Sequence, residues 1–101
     1  MTTRYPALPK TVQAPGGPVK VIATKENIKH ENAECWGLYD PELRTITIDM
    51  KAAPRQRWLT FFHELTHVAL IDSGINNGLN DSLHEAICDA VATQRMREKF
   101  K

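Results

Sequence analysis

An excess of charge of either sign is missing from this chain. Thirteen Lys and Arg offset twelve Asp and Glu in 101 residues, for a net charge of +1. That balance excludes the electrostatic footprint of a nucleic-acid-binding domain. The cations that do gather, Arg95, Arg97, Lys99 and Lys101, suit the C-terminus of a helix, whose dipole favours positive charge. Cysteine is scarce too: Cys35 and Cys88 alone cannot make a disulfide framework. No N-terminal apolar run resembles a signal peptide, and none approaches the roughly 18 residues of a membrane span. The expectation is a cytoplasmic protein with unpaired thiols, touching neither membrane nor nucleic acid. Repeats and low-complexity segments are also lacking, and the length fits one domain with one core.

What is present divides into an arm and a body. Residues 1–18 hold Pro6, Pro9, Pro15 and Pro18, with Gly16-Gly17 before the last. Proline fixes φ and removes a donor, so an extended N-terminal arm is expected, followed by a single domain over residues 19–101. Val19 to Thr24 has strand character, and the polar stretch Lys25 to Ala33 reads as a loop. Trp36 to Tyr39 and Arg44 to Asp49 read as a β-hairpin around the turn Asp40-Pro41-Glu42-Leu43. A helix is predicted from Pro54 to Asp72, started by proline and stopped by Gly74. After a loop containing Asn76-Asn77-Gly78, a second helix is expected to be capped by Asp81 or Ser82 and to run to Lys99. Its apolar stripe is Leu83, Ile87, Ala90 and Val91. The fold class is therefore α+β, a small antiparallel sheet packed on a central helix and a C-terminal helix.

The central helix carries the chemistry. His63-Glu64-Leu65-Thr66-His67 is H-E-x-x-H. Residues four apart on a helix differ by about 40° and roughly 6 Å of rise, so both imidazoles can meet one ion. Glu64, about 100° round from His63, falls outside that pair but can reach a water beside it as a general base. Trp58, Phe61, Phe62, Leu65, Val68 and Ala69 cover the opposite face, and Leu59, Leu70 and Ile71 flank the histidines. A helix apolar nearly all round is central and buried. Buried histidine and glutamate need partners, and a metal ion, zinc first, is a natural one.

Two histidines are one ligand short of a catalytic zinc site. Asp72 faces elsewhere on the helix, and Leu70 and Ser73 stand where a longer H-E-x-x-H-x-x-G-x-x-H motif has glycine and histidine. The third ligand is therefore sought on the last helix, and Glu85, off its apolar stripe, is the choice. The competing role for Glu85 is the capping box Ser82-Leu83-His84-Glu85. Asp89, one turn on, is expected to support a ligand histidine from behind. His84 reads as a surface residue and Cys88 as a small buried one.

From Gly37 onward the chain resembles the ImmA/IrrE-like family of small gluzincin-type metallopeptidases. The resemblance rests on Gly37-Leu38-Tyr39, Ile46-Thr47-Ile48, Phe61-Phe62-His63-Glu64-Leu65-Thr66-His67 and Glu85-Ala86-x-x-x-Ala90. It departs from the family at Ile87 and Asp89, where asparagine and phenylalanine are usual, and in its short linker from His67 to Glu85. It implies a minimal zincin-like fold, His63, His67 and Glu85 as zinc ligands, Glu64 as catalytic acid/base, and regulatory cleavage of a protein partner. The function expected is a zinc-dependent metalloendopeptidase. Its protein or peptide substrate would pair with an exposed strand edge, that of Arg44–Asp49, and Tyr39 would be the oxyanion donor. The alternatives are a non-catalytic protein-binding module that retains the zinc site, and a structural zinc site closed by Cys88 or Asp89.

Overall fold

A computed structural model describes residues 5–100. In chain order the elements are β1 (Thr11–Ala14), β2 (Gly17–Thr24), β3 (Ile28–His30), β4 (Ala33–Cys35), β5 (Gly37–Asp40), β6 (Thr45–Asp49), α1 (Pro54–Asp72), a 3-10 turn (Ile75–Gly78) and α2 (Asp81–Lys99). The class is α+β: a four-stranded sheet and two helices, with a small β3–β4 ribbon beside them.

The sheet order is β1-β2-β6-β5. Both local hairpins, β1–β2 and β5–β6, are antiparallel, but β2 and β6 run parallel, with Val21 opposite Ile46 and Ala23 opposite Ile48. The sheet is thus mixed, a correction to the antiparallel expectation. The parallel pair is non-local and leaves no mark in either strand's own pattern. It also places β6 inside the sheet. The Arg44–Asp49 edge expected for substrate is therefore interior, and the edge strand on that side is β5. Of the extended arm, residues 1–4 lie outside the described residues. Thr11–Ala14 joins the main sheet as β1, so the body extends past the boundary drawn at residue 19. The loop expected over residues 25–33 contains β3 and the start of β4, joined by a tight turn in which Glu31 and Asn32 have φ of 53° and 67°. Strands of three residues are too short to show alternation.

Val19, Ile46 and Ile48, fully buried on the sheet, pack with Phe61, Leu65 and Val68 of α1. β5 approaches α1 closely because residue 37 is glycine: a Cβ there would lie 2.5 Å from Thr60 Cγ2. At the far end of α1, Asp72 accepts from Arg44 Nη1 (2.7 Å), Arg44 Nη2 (3.0 Å) and the Gly16 amide (2.8 Å). One carboxylate thus ties α1 to both hairpin turns. The Arg44 guanidinium holds it below the ordinary aspartate range. Pro54 opens α1, and Gly74, with φ of 75°, follows its end.

α2 differs from expectation in its cap and its face. Asn80 is the N-cap, its Oδ1 accepting from the Leu83 amide at 2.8 Å. Ser82 therefore lies within the helix, and the Ser82–Glu85 capping box does not form. The buried line is Cys88, Ala92 and Met96, whereas Leu83 of the expected stripe is 48 % exposed. Small side chains at Cys88 and Ala92 allow α2 close to α1, and that packing outweighs the greater hydropathy of the other face.

Candidate metal centre

His63 and His67 sit on α1 with little exposure, and α2 brings Glu85 to them. His63 Nε2 lies 3.0 Å from Glu85 Oε2, and His67 Nε2 lies 3.1 Å from Glu85 Oε1. The two Nε2 atoms are 3.1 Å apart. A tetrahedral zinc with bonds of about 2.0–2.1 Å sets its ligand atoms roughly 3.3 Å from one another, so the two imidazole nitrogens and the Glu85 carboxylate, which turns one oxygen to each, form a triangle of donor groups with the spacing and the nitrogen–oxygen chemistry of a three-ligand set. Cys88 Sγ also belongs to the neighbourhood: His63, His67 and Cys88 offer donor atoms within 4.8 Å of one another. The Glu85 oxygens lie 3.0 and 3.1 Å from the two imidazoles.

Both histidines are held at their other nitrogen as well, again from α2. Asp89 Oδ1 is 2.8 Å from His63 Nδ1. His84 Nε2 is 3.1 Å from His67 Nδ1, with the rings stacked edge-on at 4.6 Å. His84 is thus part of the site rather than a free surface residue. The available signal was its spacing: 84, 88, 92 and 96 form one i, i+4 line, and judging α2 by its most apolar stripe turned that line outward.

Glu64 faces the same cleft. Burial pushes its carboxyl up to about 7, the Glu85 charge adding to the rise, while His63, the Tyr39 main-chain amide and His30 act in the opposite direction. Burial likewise lowers His67 and pushes the Cys88 thiol up to about 12. Tyr39 reaches Glu64 through its backbone, because its side chain turns into the core. The phenol hydroxyl is buried with no hydrogen-bond partner among the described residues, and the charges acting on it are those of Arg44, Asp72 and Asp40. The expected oxyanion hydroxyl is therefore turned away from solvent.

The cleft holds about 340 Å³ and is lined by β5, by His30 and Cys35 of the β3–β4 ribbon, and by His63, Glu64, His67 and Glu85. A larger apolar groove of about 840 Å³, between residues 5–11 and β2, contains none of the histidines. Size alone does not mark the chemistry here; converging donors do. Cys35 and Cys88 are both free thiols. Among the described residues no helix is long and apolar enough to cross a membrane. Comparison with protein-family models, with curated proteins and with solved structures finds no match to this chain.

Proposed function

We propose that this protein is a zinc-dependent metalloendopeptidase of the kind its resemblance to the ImmA/IrrE-like family implies, acting in the cytoplasm on a protein or peptide partner. The observation that carries the reading is the placement of Glu64 in one cleft with the His63–His67–Glu85 triangle. Those three residues would hold the ion, which when bound supplies Lewis acidity toward a peptide carbonyl and an attacking water. The remaining chemistry belongs to the chain. The Glu64 carboxylate takes a proton from the attacking water and returns it to the leaving amine nitrogen. An extended substrate lies along the edge of β5, a strand that among the described residues has β6 as its one sheet neighbour and that borders the cleft. Asp89 and the packed α1–α2 pair keep the His63 ring in place.

The test is Glu64→Gln. The zinc-loaded variant should bind metal as the parent does, yet cleave a panel of unfolded proteins at least about 10²-fold more slowly, read by mass spectrometry of the fragments. Equal cleavage by parent and variant would refute the role of Glu64. A second reading, a closed structural site, is favoured by one observation, the nearness of Cys88 to both histidines. Cobalt substitution separates the two. A thiolate–cobalt charge-transfer band that disappears in Cys88→Ser supports the closed site. Its absence, with weakened binding in Glu85→Gln, supports the open one.

A further inference from the structure

We propose that His84 is a positioning residue that fixes which nitrogen of His67 carries the proton, and so prepares the other for a cation. The inference rests on the metal-site reading above. His67 Nε2 faces His63 Nε2 at 3.1 Å and Glu85 Oε1 at 3.1 Å. To serve as a ligand it must present a lone pair there. Neutral imidazole has a single N–H, so that hydrogen must sit on Nδ1. Nδ1 points at His84 Nε2, 3.1 Å away. The assignment then follows around the pair: His67 Nδ1–H donates, His84 Nε2 accepts, and His84 keeps its own hydrogen on Nδ1. Without that acceptor the half-buried N–H would go unpaired, which is unfavourable. The tautomer with hydrogen on Nε2, aimed at Glu85, would then be favoured, and the inward lone pair would be lost.

The same helix does the equivalent work for the other ligand, since Asp89 Oδ1 meets His63 Nδ1 at 2.8 Å. α2 therefore contributes the third donor and a partner behind each imidazole, from three positions within six residues. An acceptor behind a ligand histidine fixes the ring and raises its basicity. Loss of such a partner typically weakens metal binding roughly 10- to 100-fold. His84 differs from a carboxylate in being able to accept at Nε2 only while it is neutral and in the right tautomer.

A purely structural His84, one that only packs its ring on His67, makes different predictions. In His84→Gln the side-chain oxygen can stand where Nε2 stood, and in His84→Leu bulk is kept without an acceptor. Zinc affinity is read by competition with a chromogenic chelator, beside thermal melts of the zinc-free proteins and a His63→Ala control. The proposal expects His84→Gln to bind zinc nearly as the parent does and His84→Leu to bind it roughly 10- to 100-fold more weakly, with similar zinc-free melts for the two. Parent-like affinity in His84→Leu, when His63→Ala has lost binding, would overturn the role of His84 and leave the metal site standing. Parent-like affinity in His63→Ala would overturn both. If His84→Leu does not fold, nitrogen-15 spectra of the parent decide. Above neutral pH and without zinc, His67 should show the hydrogen on Nδ1, and a hydrogen on Nε2 would refute the assignment.

Discussion

Replacing Gly37 by alanine should destabilise this protein, although in an exposed strand the same change usually helps. The added Cβ would lie 2.5 Å from Thr60 Cγ2, 3.2 Å from Ile48 Cδ1 and 3.2 Å from the Thr47 carbonyl oxygen. Carbon atoms in comfortable contact stand about 3.5–4.0 Å apart, so the first overlap is about 1 Å. Thr60 has little room to yield. It is buried on α1, and its hydroxyl accepts from Gln56 Nε2 at 2.9 Å. Overpacking of this kind costs about 1–3 kcal/mol. The smaller entropy of the unfolded alanine chain offsets about 0.4–1 kcal/mol. A net loss of about 1–2 kcal/mol should appear as a lower midpoint in urea, at unchanged slope, and as a Tm lower by roughly 5–15 °C. Thr60→Ser removes the clashing methyl and keeps the hydroxyl, so the double variant should recover most of the loss caused by alanine. A coupling of at least about 1 kcal/mol between the two sites is expected. Strict additivity, or a stabilising Gly37→Ala, would show that β5 does not depend on this close approach to α1.

The remaining predictions concern α2 and the Asp72 junction. Met96→Ala should cost about 2–5 kcal/mol, as for a buried side chain, whereas Leu83→Ala should stay within about 0.5 kcal/mol; comparable losses from the two in chemical denaturation would restore the outward stripe as the packed face. Asp72 is held below its ordinary value of 3.8 by Arg44, so its contribution is full above that value and disappears as pH falls through its lower folded pKa. The stability gap between the parent and Asp72→Asn, measured by denaturation at a series of pH values, should therefore narrow on acidification below about 3.8, and a gap independent of pH would remove Asp72 as the cause.

Local rules read this chain well where the structure is local. α1 runs from Pro54 to Asp72 as expected, because the proline at its start, its long apolar run and the glycine after its end each act on their immediate neighbours. The β5–β6 hairpin followed from alternation at Ile46 and Ile48 and from the Asp40 turn, where Oδ1 accepts from the Glu42 and Leu43 amides. The parallel pairing of β2 with β6 was not legible. It depends on where the chain between residues 24 and 37 delivers β5, and no strand's own composition records that. The position of β1 was hidden for a related reason: four prolines within the first 18 residues argue for extended chain but do not say which edge that chain joins.

The site divides along the same line. His63, Glu64 and His67 were legible because one helical turn sets their spacing. Glu85 and Asp89 were reached as carboxylates off the apolar stripe of α2, whereas His84 was missed because that stripe set the rotation of α2 about its axis wrongly. Cys88 and Ala92 carry little hydropathy, yet both are essentially fully buried between the helices, because the closeness of two helices is governed by small side chains rather than by the greasiest ones. That rotation puts Glu85 between the two imidazoles and His84 and Asp89 behind them. Had the Leu83–Ile87–Ala90 face packed inward instead, Glu85 and Asp89 would have lain on the far side of α2 and H-E-x-x-H would have lacked its third partner. The exposure of Leu83 and the completion of the donor triangle are thus two consequences of one packing choice.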